Sequence, residues 1–162
     1  MGTCRRPRPS RANPLIATIA IARAWRAHIT AESLPLYLHM VRDGAWWDLV
    51  DEIASHLIGE VWLKERAVVE PLADTWVEDE HLWIRRVAII GQLRHKEHTD
   101  ADRLFRYCAS LAHEREFFIR KAIGWALRQY GRTDPDAVRA FVHAQGDHLS
   151  GLSRREALKN LS

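Results

Sequence analysis

The chain reads as an all-α solenoid of repeated helix pairs, and three observations in the sequence predict it. Glycine and proline are sparse between residues 15 and 145. No segment alternates apolar and polar residues over strand length, so helical spacing is the only regular period present. Finally, Leu82-Trp83-Ile84-Arg85-Arg86-Val87-Ala88 lies over Phe117-Phe118-Ile119-Arg120-Lys121-Ala122-Ile123 at a shift of 35, and the Trp46-Trp47 segment follows at a shift of 36. In that second alignment Ile53 meets Ile89 and Leu57 meets Leu93, which keeps the apolar face in step between units. Helix pairs of this size cannot bury their faces alone, so they stack, and equivalent first helices share one wall.

Taken in order, apolar positions at helical spacing predict helices over 15–28, 32–43, 46–60, 66–78, 80–95, 100–112, 116–131, 135–145 and 153–161. The first five rest on that spacing. Thr99-Asp100 then opens 100–112 with a side chain suited to accept from the unpaired N–H groups of a first turn. Gly131 after Tyr130 predicts that 116–131 ends in the left-handed conformation that a residue without Cβ adopts most easily. Asp134-Pro135 opens 135–145, with proline where a missing N–H removes no helical bond. Ser153-x-x-Glu156 matches a capping box and opens 153–161.

With 162 residues, 47% of them hydrophobic, the chain suffices for one core and one domain. Residues 1–14 are expected to be an unstructured Arg/Pro-rich tail, and 15–162 the helical domain. Arg5, Arg6, Arg8 and Arg11 carry more than the whole formal net charge of +3. Nucleic-acid binding therefore has to be argued from local charge placement rather than from the overall balance. Met1–Asn13 has no apolar core of signal-peptide type and no later stretch approaches a membrane span, which predicts a cytoplasmic protein that stays off membranes. Cys4 and Cys108 cannot form a disulfide framework and lack metal-ligand spacing, which fits a reducing compartment. His95, His98 and His113 read as loop or surface histidines, Glu97 and Glu114 complete no zinc motif, and no glycine-rich loop cradles a phosphate. Neither a metal nor a cofactor is expected.

The residues suited to chemistry fall on three first helices. Trp47 and Asp51 are four apart, so an aromatic face and a carboxylate project from one side of a helix, one turn apart. Trp125 has Lys121 four before it and Arg128 three after it. Such a face offers a π-surface for a base or a cation between two donors able to hold phosphates. Trp47, Arg86 and Trp125 are separated by 39 and 39, about one helical turn more than the repeat shift, so they can climb diagonally along one groove. Each also has an ordinary structural use. Asp51 would serve as a solvated helix-face acid, and Arg86 would pair across the repeat with an acid such as Glu52. Packing is the expected role of Trp25, Trp62, Trp76 and Trp83, and it competes with function at Trp47 and Trp125.

Three runs together carry a resemblance: Trp46-Trp47-Asp48-Leu49-Val50-Asp51, then Leu82 through Leu93, then Glu116 through Arg128. With Leu152-Ser153-Arg154-Arg155-Glu156-Ala157-Leu158-Lys159 they resemble, in order and spacing from about residue 20 onward, the AlkD-like DNA alkylation repair family. That resemblance implies a HEAT-like repeat fold, in agreement with the solenoid read from periodicity. It also implies a monomeric DNA glycosylase that releases N3-alkyladenine and N7-alkylguanine from double-stranded DNA. By matching motif positions, it implies catalytic roles for Asp51 and for the stacking residues Trp47 and Trp125, and DNA contacts for Arg86, Lys121 and Arg128. Family members normally begin with further N-terminal helices, roughly two pairs, which this chain is expected to lack. The competing reading is a non-catalytic or truncated, inactive HEAT-like module that binds DNA or a protein partner through the same groove.

Overall fold

The computed structural model describes residues 29–161 together with the single positions Ala20 and Ala24. The expected tail over 1–14 lies outside the described residues, as does the 15–28 helix apart from those two helical positions. From residue 34 the order is α1 (Leu34–Gly44), α2 (Trp47–Glu52), a π-helical stretch (Ile53–Ile58), α3 (Gly59–Lys64), α4 (Arg66–Trp76), α5 (Leu82–Ile90), α6 (Ala101–Ser110), α7 (Phe117–Tyr130), α8 (Pro135–Gln145) and α9 (Gly151–Leu158). No strand occurs among the described residues. The protein is an all-α helical-repeat solenoid.

Helices α2, α5, α7 and α9 pack in succession and form one wall. Helices α4, α6 and α8 back it. Residues made equivalent by the 35-residue shift touch directly: the Trp83 ring of α5 lies 4.9 Å from the Phe118 ring of α7. In the outer layer Phe105 of α6 stacks on Phe141 of α8 at 4.7 Å. Asp74 of α4 accepts from the Tyr107 hydroxyl at 2.6 Å and from Arg103 and Arg106 on α6. Between the layers, Ile53, Leu57, Ile84, Ile89, Ile119, Ile123 and Leu127 are fully buried, the inward stripe expected from their spacing. Each removes enough apolar surface from water to contribute about 1.5–3 kcal/mol. Trp62, Trp76 and Trp83 are buried too, in the packing role expected of them.

Several local readings are corrected by tertiary contacts. The 46–60 helix does not end near Gly59, because α2, the π-stretch and α3 form one continuous run to Lys64. Gly59 is there for closeness: a Cβ on it would stand 2.5 Å from the Gly91 carbonyl oxygen at the end of α5. Gly131 does not adopt the left-handed conformation, since its φ is −60°. Its missing side chain makes room for Leu161 instead, 2.8 Å from where a Cβ would be. The capping box at Ser153 is not formed. Ser150 is the cap of α9, accepting from Ser153 N–H at 3.1 Å. The Ser153 hydroxyl donates to the Arg120 carbonyl of α7 at 2.9 Å, and Glu156 points to α7 as well. The caps at Asp100 and Asp134 are formed as expected, accepting from Arg103 N–H and Ala137 N–H.

His95 is not a surface histidine: only 3% of it is exposed. Its Nε2 donates to the Gly59 carbonyl at 2.8 Å, and its ring meets Trp62 edge-on at 6.3 Å. Burial, ahead of every other influence, holds its pKa down at about 4 from an ordinary 6.5. The unfolded chain then binds a proton that the folded chain refuses. Stability is full above about pH 6.5 and falls as the pH drops toward 4, by up to roughly 3 kcal/mol for this group alone. His95→Gln keeps a donor for Gly59 and removes the titration, so its melting temperature is expected to change less than that of the natural protein between pH 6.5 and 4.5. Parallel melting curves for the two proteins would contradict this.

Candidate active site on the first-helix wall

The wall begins at Trp46, whose extended backbone leads into α2 without a side-chain cap. Trp47 is the first residue of that helix and Asp51 the fifth, so they share a side one turn apart. Trp47 is 45% exposed and its neighbour Trp46 56%, while Trp62, Trp76 and Trp83 are packed away. A large aromatic surface left in water next to a carboxylate is an uncommon use of tryptophan. Immediately after Asp51 the helix widens into the π-turn over Ile53–Ile58. The Ser55 hydroxyl donates back to the Asp51 carbonyl at 2.7 Å there. Such π-bulges occur frequently at functional sites.

Asp51 is nearly buried, with 12% of its side chain exposed. It does not stand in solvent. Arg86, the fifth residue of α5, grips it in a two-pronged pair: Nε donates to Oδ1 at 2.6 Å and Nη2 to Oδ2 at 2.8 Å. The remaining nitrogen, Nη1, donates to the backbone carbonyl of Phe118 in the first turn of α7. A single guanidinium thus ties α2, α5 and α7 together. The acid across the repeat from Arg86 is Asp51, not Glu52, which instead faces His56. With all three nitrogens engaged and 5% of its side chain exposed, Arg86 has little surface left for the phosphate contact expected of it.

Trp125 is partly buried against the core on α7. It lies seven residues beyond Phe118, roughly 10 Å along the helix axis from the carbonyl that Arg86 reaches. Asp51 and Arg86 are in direct contact, Trp47 shares their wall, and Trp125 sits two turns further along it. Lys121 and Arg128 flank Trp125 as expected, but both are bound to one carboxylate. Glu156 of α9 lies 3.1 Å from Lys121 Nζ and 2.7 Å from Arg128 Nη1. Those contacts, Lys121 foremost, hold the Glu156 carboxyl below the usual range.

Two participants escaped the sequence reading. The Phe118 carbonyl carries no signal in a side-chain pattern, and Glu156 was absorbed into a capping box. Cavities of about 400 and 570 Å³ open elsewhere, near Leu93, Lys96 and Tyr130 and near Ser55, His95 and Lys96. Among the described residues no three His, Cys, Asp or Glu side chains are grouped to hold a metal ion, and no helix is long and apolar enough to cross a membrane.

Chemically the arrangement presents a carboxylate held by an arginine, one helical turn from an exposed tryptophan, with further cations along the same wall. A carboxylate so held does not reorganise when positive charge develops next to it. Comparison with known proteins agrees in class. The family model for the DNA alkylation repair enzyme matches residues 9–161, beginning inside the Arg/Pro-rich stretch that the sequence reading left outside the resemblance. No curated protein matches the chain significantly. A solved structure described as a predicted DNA alkylation repair enzyme from Enterococcus faecalis is 32% identical, with a TM-score of 0.85, over 96% of this chain and 71% of that one. Matched by the family model over nearly its whole length, the chain belongs to the DNA alkylation repair enzymes, and its role lies in the repair of alkylated DNA.

Proposed function

We propose that the protein is a DNA glycosylase that hydrolyses the N-glycosidic bond of purines made cationic by alkylation, N3-alkyladenine and N7-alkylguanine, in double-stranded DNA. The observation that carries this reading is the Asp51 carboxylate, clamped by Arg86 one turn from the exposed Trp47 ring. In the reaction the C1′–N bond breaks and its electron pair passes to the purine, cancelling the ring's positive charge. The sugar becomes oxocarbenium-like. Water then adds at C1′ and gives up a proton, leaving an abasic site and a neutral alkylated base. Because the leaving base is already cationic, no acid is needed to protonate it. The demand falls on stabilising the sugar, which a fixed carboxylate meets electrostatically.

Tryptophan faces favour a cationic ring over a neutral one by about 1–2 kcal/mol when desolvated. Trp47 and Trp125 supply those faces in this reading. An open wall rather than a deep pocket suits an approach from the DNA backbone, without the base extrusion that most glycosylases use. A monomer acting on cytoplasmic, nucleoid DNA follows from the same reading.

The test is an end-labelled duplex treated with a methylating agent, incubated with the protein and then heated in alkali to break the strand at abasic sites. Breaks at methylated purines are expected with the natural chain, and at least tenfold fewer with Trp125→Ala. A protein that retards the duplex in a gel yet leaves no alkali-labile sites would be a binding module instead.

A further inference from the structure

Glu156 has no part in the chemistry proposed above, yet its carboxylate lies between two of the cations assigned to DNA. Lys121 and Arg128 sit one turn before and one turn after Trp125 on α7, and Glu156 reaches from α9 to both, Oε1 toward Lys121 and Oε2 toward Arg128. The contact is built into the fold. A Cβ on Gly124, the residue before Trp125, would stand 2.5 Å from the Glu156 Cβ, so the two helices touch at the root of this side chain. One turn earlier on α9 the Ser153 hydroxyl is bonded to the Arg120 carbonyl, which fixes the same face of α9 on α7. The root of Glu156 is therefore fixed beside α7, which keeps its carboxylate within reach of both cations.

Two cations flanking an aromatic ring would hold DNA by charge alone, damaged or not. With a carboxylate fixed between them, the group carries one net positive charge rather than two. We infer that Glu156 is a specificity-determining residue. It sets the positions of Lys121 and Arg128 on either side of Trp125 and halves their net charge, so that retention on DNA depends on what the aromatic wall recognises rather than on phosphate attraction. This rests on the DNA-binding part of the proposed function, not on the hydrolytic step.

The experiment measures affinity for an unmodified duplex and for the same duplex carrying methylated purines, from 50 to 200 mM salt, with melting curves confirming the fold of each variant. Each net cation adds about 0.9 to the slope of log affinity against log salt. Glu156→Gln keeps the size and hydrogen-bonding oxygen of the side chain and frees one charge. It should bind the unmodified duplex more tightly at 50 mM salt, steepen the slope by about 0.9, and so lose about threefold to fourfold more affinity than the natural chain by 200 mM. Its preference for the methylated duplex should narrow. Lys121→Met should flatten the slope by a similar amount, and the double variant should return it near the natural value. Slopes unchanged in all three variants, or weaker binding by Glu156→Gln, would overturn the inference. Slopes that shift as stated in a protein that makes no abasic sites would sink the glycosylase reading and leave this one standing.

Discussion

Asp51→Asn is expected to slow base release by about 10²–10³-fold while leaving the helical fold in place. The amide has nearly the shape of the carboxylate and keeps one oxygen for the Arg86 fork. Its NH2, however, faces the second guanidinium donor and the buried Arg86 loses its counter-charge, so the wall should assemble with a lowered melting temperature. What it lacks is the charge. In the present geometry that charge is held by two hydrogen bonds of 2.6 and 2.8 Å to Arg86, whose own charge offsets part of it, in a site with little water where the remaining field is screened less than in bulk solvent. Single-turnover rates on a methylated duplex, measured beside far-UV spectra and melting curves, separate loss of chemistry from loss of structure. A folded Asp51→Asn protein working at the natural rate would remove Asp51 from the reaction.

The second large effect is on stability. Arg86→Ala leaves the Asp51 carboxylate almost buried with no counter-charge, and also frees the Phe118 carbonyl. Removing one partner of a buried ion pair costs about 3–5 kcal/mol. In a chain of this size that corresponds to a fall in melting temperature of roughly 10 °C. Arg86→Lys should recover only part of it, because an ammonium cannot bond both carboxylate oxygens as a planar fork does. Replacing both partners, Asp51→Leu with Arg86→Met, should restore much of the stability, since no charge is then buried alone, and should leave no activity. An Arg86→Ala protein that melts within a few degrees of the natural one would show that the pair does not tie the wall together. The resemblance assigns Arg86 to DNA; with its nitrogens engaged by Asp51 and the Phe118 carbonyl, its variants are expected to lose DNA affinity together with stability.

How far such assignments reach from sequence depends on the range of the forces involved. The wall of first helices was legible because the repeat shift is a packing rule. Trp83 and Phe118 are aligned by counting residues, and their rings are in contact in space. Caps at Asp100 and Asp134 were legible because a side chain and the N–H it accepts from are three residues apart. Ser153 and Glu156 show the opposite case. Their spacing satisfies a local motif, but each finds a partner on α7 about thirty residues away, and Ser150 takes the cap. Gly59 and Gly131 look like helix ends because glycine is a weak helix former, whereas here each marks an approach too close for a Cβ. Arg86 lay within reach of both Asp51 and Glu52 by counting alone. Which of two adjacent acids faces the next helix depends on the rotation of α2, and periodicity fixes that only to within a residue.

The identity of the product tests the central claim most directly. Alkylated DNA can be repaired by removing the base or by removing the alkyl group, and the two leave different molecules. Mass analysis of the small-molecule fraction, after one turnover on a duplex carrying 7-methylguanine or 3-methyladenine, should find the intact methylated purine. It should appear in equal amount to new abasic sites, and Asp51→Asn should nearly abolish it. Unmodified purine restored within an unbroken strand, or no purine released by a folded protein that binds the duplex, would contradict the account.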